Sequence, residues 1–280
     1  MSDLTGKRAM VTGASSGIGA AIARKLAALG VDLVLTGRRR DALDTVAAAC
    51  LALGVRAEIH TADLGTPGAA AALWAAARKA GPVDILINNA GFGYFRPFRS
   101  VEWARDAELI QLDITSLVEL SRRFIDDRGS SSDRAYLVNI ASIGAYQSVP
   151  NMALYTSAKA FVRNFTEALH DELAGSPISA TCVCPGGTVT GFHAAAGAGD
   201  YTWVANATMV SADAVAQIAV AAMRSGKRNV VPGVVNKLAA WSVRLASRRV
   251  ASWVAGRVLG TPKAAELPPR RPAQDRSGRS

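Results

Sequence analysis

Tyr155-Thr156-Ser157-Ala158-Lys159 sets a phenol and an amine four residues apart. On a helix two such side chains stand one above the other on the same face. A free tyrosine has a pKa of about 10 and is a poor acid–base catalyst near neutrality. An ammonium held beside it stabilises the phenolate, and the expectation is that Lys159 draws Tyr155 toward working pH. Ser142 follows an apolar, strand-like run and is placed to donate a hydrogen bond to the same substrate oxygen. Three such groups suit proton-coupled chemistry at a carbonyl. The spacing alone fits a plain helix-surface pair equally well, so the rest of the chain must decide.

A second constellation is Thr12-Gly13-Ala14-Ser15-Ser16-Gly17-Ile18-Gly19, lying between a strand pattern and a helix pattern. Glycines there let the backbone turn tightly and approach a pyrophosphate, while the helix N-terminus offers free N–H groups and partial positive charge. The spacing is Gly-x-x-x-Gly-x-Gly rather than the commoner Gly-x-Gly-x-x-Gly, but the strand–turn–helix setting is the one a dinucleotide requires. The next strand ends in Thr36-Gly37-Arg38-Arg39-Arg40, with no carboxylate before Asp41. An acid at that place would hydrogen-bond a ribose, whereas guanidinium groups suit a 2′-phosphate. Cations at a helix start oppose its dipole, which favours a bound anion. The reading is NADP(H), with Arg38 and Arg39 on the phosphate.

The elements that must hold these residues alternate along the chain. Strand patterns cover 7–12, 32–36, 55–61, 83–88, 134–140 and 178–184, with a seventh at 228–231. Helix patterns cover 17–29, 42–53, 67–79 (proline in its first turn), a long stretch within 101–125, the Tyr/Lys segment, and 212–224. Apolar strands alternating with helices predict an α/β fold: a doubly wound, mostly parallel sheet of the Rossmann kind flanked by helices, spanning 1–235. Residues 191–209 break the pattern with three glycines and with Phe192, Tyr201 and Trp203, and carry no charged residue but Asp200. They read as a lid over an apolar or bulky substrate, with a plain linker as the alternative.

Composition narrows the class. Half of the 280 residues are apolar, enough for an ample core. No run approaches the 18 or so apolar residues a membrane span needs, and the chain start reads as a strand approach rather than a signal peptide. Cys50, Cys182 and Cys184 make no disulfide framework and have no metal-ligand spacing with a histidine, so no metal is expected and a reducing cytoplasm is the expected compartment.

The net charge of +10 is uneven: residues 1–226 balance 20 basic against 20 acidic side chains, while 227–280 hold 12 Lys and Arg against Glu266 and Asp275. Within it, 236–265 reads as one or two basic amphipathic helices, and 266–280 as a disordered tail. Treated as one helix, Lys237, Arg244 and Arg248 cluster on one side, opposite Ala239, Val243, Ala246, Val250, Trp253 and Val254. Two uses stay open: docking on the domain or a partner subunit to line the substrate pocket, favoured because Arg249 and Arg257 interrupt the apolar side, or peripheral membrane contact through 236–260. Nucleic-acid binding is not expected, since no stacking-aromatic platform accompanies the basic tail.

Thr12-Gly-Ala-Ser-Ser-Gly-Ile-Gly19, Asp63-Leu64, Asn88-Asn89-Ala90-Gly91, Ser142, Tyr155-x-x-x-Lys159 and Pro185-Gly186 stand in the order, and at the strand ends, that characterise short-chain dehydrogenases/reductases. Over about residues 5–235 the chain resembles that family, and most of all bacterial 3-oxoacyl- and hydroxysteroid-type reductases. The resemblance implies roles. Gly13, Ser15, Ser16, Gly17, Ile18 and Gly19 would cradle the pyrophosphate. Asp63 would bond the adenine, with Leu64 at its edge, although a turn or helix cap also explains Asp63. Asn89, Ala90 and Gly91 would pack the ribose. Lys159 would hold the nicotinamide ribose, and Pro185, Gly186, Thr188 and Thr190 would seat the carboxamide. It also implies a homodimer or homotetramer. One position departs: the family's usual asparagine is Asp113, which, if ionised near Lys159, would offset the lysine's pull on Tyr155. The expected function is NADPH-dependent interconversion of an apolar ketone, aldehyde or 3-oxoacyl group with its alcohol. The alternative is a nucleotide-binding regulator or membrane-peripheral protein on the same fold without efficient turnover.

Overall fold

A computed structural model describes residues 3–129, 131–189 and 209–259. Parallel strands need crossover helices, and here those helices cover both faces of one sheet. The chain runs β1 (Arg8–Thr12), α1 (Gly17–Ala27), β2 (Asp32–Gly37), α2 (Arg40–Leu51), β3 (Ala57–Thr61), α3 (Ala69–Arg78) and β4 (Ile85–Asn88). It continues through α4 (Trp103–Ile110), α5 (Leu117–Arg128), β5 (Ala135–Ile140), α6 (Ala153–Glu172) and β6 (Ile178–Val183). The short strands β7 (Thr188–Val189) and β8 (Val210–Ser211) pair with each other, and then come α7 (Ala212–Arg224), β9 (Asn229–Val230), α8 (Val234–Ser242) and α9 (Arg248–Leu259).

The seven-stranded sheet has the order β3-β2-β1-β4-β5-β6-β9, all pairs parallel. The order reverses between β1 and β4, and a ligand crevice is expected there, at the carboxyl ends of the strands. Side chains alternate across the sheet. Ala9 and Val11 of β1 join Ile22, Leu26 and Met223 on one face, whereas Met10 joins Leu73, Trp74 and Phe124 on the other. Burial on both faces is why the strands read as continuous apolar runs.

Several expectations needed adjustment. Pro67 precedes α3 rather than lying in its first turn, because Gly68 takes φ 79° just before the helix starts. The long helix after β4 is α4 and α5 joined by a π-helical turn, Gln111–Ser116. Of the one or two helices read in the C-terminal segment the structure has two, since Ala246 is extended (φ −110°, ψ 151°) after a tight turn at Val243–Leu245. Thr190, the expected lid apart from Met209, and the expected disordered tail lie outside the described residues.

Candidate active site

The turn after β1 is stitched to the end of β4. The Thr12 hydroxyl accepts from the backbone N–H groups of Asn89 and Ala90, both at 2.9 Å, and Asn89 Nδ2 donates to the Thr12 carbonyl at 2.9 Å. Gly13 has φ +66°, and a Cβ there would come within 2.8 Å of Asn89 Nδ2 and 2.9 Å of the Ala90 backbone. Any larger residue would push the two strand ends apart. α1 then starts with no acidic residue in its first turn and no side-chain cap from Ser16, leaving its first N–H groups free for an outside acceptor. Arg39 reaches over that turn, its guanidinium donating to Ser16 Oγ at 3.1 Å and Ser15 Oγ at 3.5 Å. Arg38 pairs at 3.3 Å with Glu108, which Arg105 holds in turn.

On the other side of the crevice α6 carries Tyr155 and Lys159, both buried. A polar chain inside the core sets its position: Asn88 Nδ2 donates to Asn139 Oδ1 at 2.9 Å, and Asn139 Nδ2 donates to Thr166 Oγ1 of α6 at 3.0 Å. Ser142 lies just past β5, its Oγ accepting from Gly144 N at 3.1 Å, and it hydrogen-bonds Tyr155. Lys159 Nζ lies 5.7 Å from the Tyr155 ring centre, donates to the Ile140 carbonyl at 3.3 Å, and pairs with Asp113 Oδ2 at 2.9 Å. Asp113 is wholly buried in the π-helical turn, where its Oδ1 also accepts from Phe92 N at 3.1 Å.

These charges act against one another. Burial pushes Tyr155 up; Lys159 and the Ser142 hydrogen bond pull it down, and Asp113 pushes it up again. The net direction is upward, which corrects the expectation that Lys159 would bring the phenol toward neutrality. The reason is physical: an enclosed phenolate loses its hydration, and the ammonium meant to replace it is itself answered by a carboxylate. Burial works to lower the Lys159 amine, yet Asp113 and Tyr155 outweigh it and the net direction is upward. Asp113 is raised by its own burial, with Lys159 opposing.

One cavity of about 840 Å³ joins both groups of residues. Its walls include Gly13, Ser15, Ser16, Gly17, Ile18 and Arg39 at one end and Ser142, Tyr155 and Lys159 at the other. Arg38, Asp63, Leu64, Asn89, Ala90, Gly91, Pro185, Gly186 and Thr188 line it as well. Two predicted residues stand behind the wall: Gly19 packs on the Gly13 carbonyl, and Asp113 sits behind Lys159. Asp113 is therefore a positioning residue. The Asp63 side chain also makes the turn that sequence offered as its alternative, accepting from Gly65 N at 3.0 Å.

Sequence reasoning missed Asn236 and Tyr146. Asn236 is buried on α8, and a Cβ built on Gly186 would lie 2.4 Å from its amide nitrogen, so the helix presses directly on that loop. Its only trace in the sequence is a lone polar residue four before Ala240 on the packed face. Tyr146 lines the cavity and donates to Asn229 Oδ1 at 3.1 Å. The face of 236–260 carrying Ala239, Val243, Ala246, Val250 and Val254 lines the cavity, as the favoured docking alternative required. Trp253, expected on that face, is not among the lining residues and is exposed. Among the described residues no helix is long and apolar enough to cross a membrane, and no cluster of three or more His, Cys, Asp or Glu could hold a metal.

Ketoacyl reductase HetN of Nostoc sp. is 33% identical over 190 residues, covering 66% of this chain and 65% of its own length. The chain thus spans just under two thirds of that relative. A short-chain dehydrogenase from Sphingobium yanoikuyae, solved in complex with NADPH, superimposes with TM-score 0.73 at 32% identity, covering 81% of this chain and 87% of its own. A short-chain dehydrogenase/reductase from Burkholderia phymatum, solved in complex with NAD, gives TM-score 0.76 at 25% identity over 88% and 96%. Residues 7–200 match the family model described as short chain dehydrogenase. With more than half its length inside that model and the same doubly wound sheet beneath the site, the chain belongs to the short-chain dehydrogenase family of oxidoreductases.

Proposed function

We propose that the protein is an NADP(H)-dependent oxidoreductase that interconverts an apolar carbonyl compound and its alcohol. The observation that carries this reading is the opening of Ser142, Tyr155 and Lys159 onto the same cavity as the Gly13–Ile18 turn and Arg39. The residues present fit a phosphorylated dinucleotide: a glycine cradle that a Cβ would fill, an uncapped helix N-terminus, and two guanidinium groups at the end of β2. The relatives solved with NADPH and with NAD leave the choice of dinucleotide to these local residues. Arg38 and Arg39 would hold the 2′-phosphate, the Gly13–Ile18 turn with Ser15 and Ser16 the pyrophosphate, Asp63 and Leu64 the adenine end, and Asn89, Ala90, Gly91 and Lys159 the riboses. Pro185, Gly186 and Thr188, with Thr190 outside the described residues, would seat the carboxamide.

The bound nicotinamide supplies or accepts the hydride. Tyr155 gives its phenolic proton to the carbonyl oxygen in reduction and takes it back in oxidation. Tyr155 is a phenol at neutral pH and so carries the proton that reduction needs, while Lys159 and the Ser142 hydrogen bond, working against burial, favour the phenolate left behind. Ser142 holds the oxygen by a hydrogen bond, and Lys159 offsets the charge left on Tyr155. The substrate's apolar part would lie along Val250, Val254 and Val258 of α9, which line the cavity. The similarity to the ketoacyl reductase HetN supports a 3-oxoacyl thioester as one member of this substrate class.

The test is NADPH oxidation with a panel of apolar ketones, aldehydes and 3-oxoacyl thioesters. Tyr155→Phe is expected to remove turnover by a factor of roughly 1,000 or more while NADPH affinity stays within about twofold. Arg39→Ala is expected to raise the NADPH dissociation constant by roughly tenfold and leave that for NADH unchanged. Near wild-type turnover by the phenylalanine variant would remove Tyr155 from the mechanism. Binding of NADPH without turnover of any carbonyl would favour the regulatory alternative.

A further inference from the structure

We propose that α8 and α9 form a docking face for an anionic lipid bilayer, with Val234, Leu238, Trp241 and Leu245 entering the interface. α8 turns Asn236 and Ala240 inward, at 3% and 4% exposure. At 100° per residue Val234, Leu238 and Trp241 share the opposite side, and Leu245 continues their line into the next turn. Their exposures are 77, 61, 55 and 73%. A helix lying on a domain ordinarily turns such a stripe to the core and its polar residues to water. Here the order is reversed. α9 adds Trp253, 60% exposed, with the Arg257 guanidinium 4.9 Å from its ring centre. The exposed apolar stripe along α8, contiguous by its i, i+4, i+7 spacing, is of the kind that marks an interaction surface.

The surrounding charge selects the occupant. Lys237, Arg244, Arg248, Arg249 and Arg257 are all exposed, and no Asp or Glu occurs between Asp213 and Glu266. A second copy related by a two-fold axis would set this face against itself, cations opposite cations. A bilayer with anionic headgroups meets both halves of the face: headgroups take the guanidinium and ammonium groups, and the acyl boundary takes Val, Leu and Trp. Tryptophan, with an apolar body and one N–H, suits that boundary. The helices have 9 and 12 residues, so they lie on the membrane rather than cross it. α8 walls the cavity through Ala239 and Ala240, and α9 through Val250, Val254 and Val258, which places the cavity one helix thickness, about 10 Å, from the docked surface.

The experiment is flotation of the full chain with phosphatidylcholine vesicles and with vesicles that also contain phosphatidylglycerol, with size-exclusion mass measurement alongside. The expected result is flotation with the anionic vesicles only. The double variant Leu238→Glu/Trp241→Glu should weaken it by roughly tenfold or more, and Lys237→Gln/Arg244→Gln by a similar factor with a smaller salt dependence. All four positions are solvent-exposed and none lines the cavity, so circular dichroism and melting should match wild type. Absence of flotation, equal flotation with neutral vesicles, or flotation undiminished in the glutamate variant would overturn the proposal. So would a wild-type oligomer that the glutamate variant dissociates while vesicles go unbound, which would assign the face to a second copy. The readout is binding, so it stands or falls separately from carbonyl turnover.

Discussion

Lys159 answers to two neighbours that use its charge in opposite ways. Tyr155 gains from the ammonium, and Asp113, 2.9 Å from Nζ, takes part of that gain away. Asparagine at 113 would remove an anion that raises both the phenol and the amine. On the proposed mechanism, reduction needs the protonated phenol and the charged lysine, so losing either proton with rising pH would close the reaction. With both values lowered, the alkaline limb of the Asp113→Asn reduction profile moves to lower pH. Stopped-flow NADPH oxidation across pH reads this directly, and an upward movement would show that Asp113 does not act on the pair electrostatically. The triad and the glycine turn were legible in the sequence because the chemistry dictates residue types at short, fixed spacings. The net direction of Tyr155 was not, since it depends on burial, which no local spacing encodes.

The elements hold these groups through close packing more than through many polar contacts. Gly93, in the loop after β4, lies flat against the Tyr155 ring: a Cβ there would be 2.5 Å from Cδ2 and 2.8 Å from Cγ. The ring is buried among Tyr94, Leu109 and Ala158 and has nowhere to retreat without moving α6. Gly93→Ala should therefore displace the phenol and lower kcat by roughly 100-fold, at a stability cost of about 1–3 kcal/mol. Thermal melting together with steady-state kinetics separates the two effects; full kcat in a folded variant would show that the ring tolerates the shift. Alternating strands and helices could be read from periodicity, and all seven sheet strands fall close to their expected places. The π-helical turn at Gln111–Ser116 could not, because its apolar pattern differs from an α-helix by a single inserted residue. That inserted residue belongs to the turn bringing Asp113 to Lys159, in keeping with π-turns gathering at working sites.

At the scale of the whole molecule the neutral sheet domain carries the residues proposed to do the chemistry, and the basic C-terminal helices form one wall of the cavity they open onto. The charge boundary is read from the sequence itself, since it is a matter of counting. Sequence assigned the faces of the C-terminal segment only in part, because one helical wheel was drawn through a chain that breaks at Ala246. That break lets α9 fold back, carrying Val250, Val254 and Val258 to the cavity. Ala246 itself lines the cavity and is half-buried, so a larger side chain there fills space that the substrate's apolar part would otherwise occupy. Each methylene kept out of such a wall forfeits about 0.8 kcal/mol of burial. Ala246→Phe should leave short-chain ketones within about twofold of wild type and cut kcat/KM for longer homologues by roughly tenfold for every two methylenes excluded. A chain-length series of 3-oxo substrates measures this. A uniform loss at all lengths would mean that the substitution disturbs the catalytic end, and that the substrate's apolar part runs elsewhere.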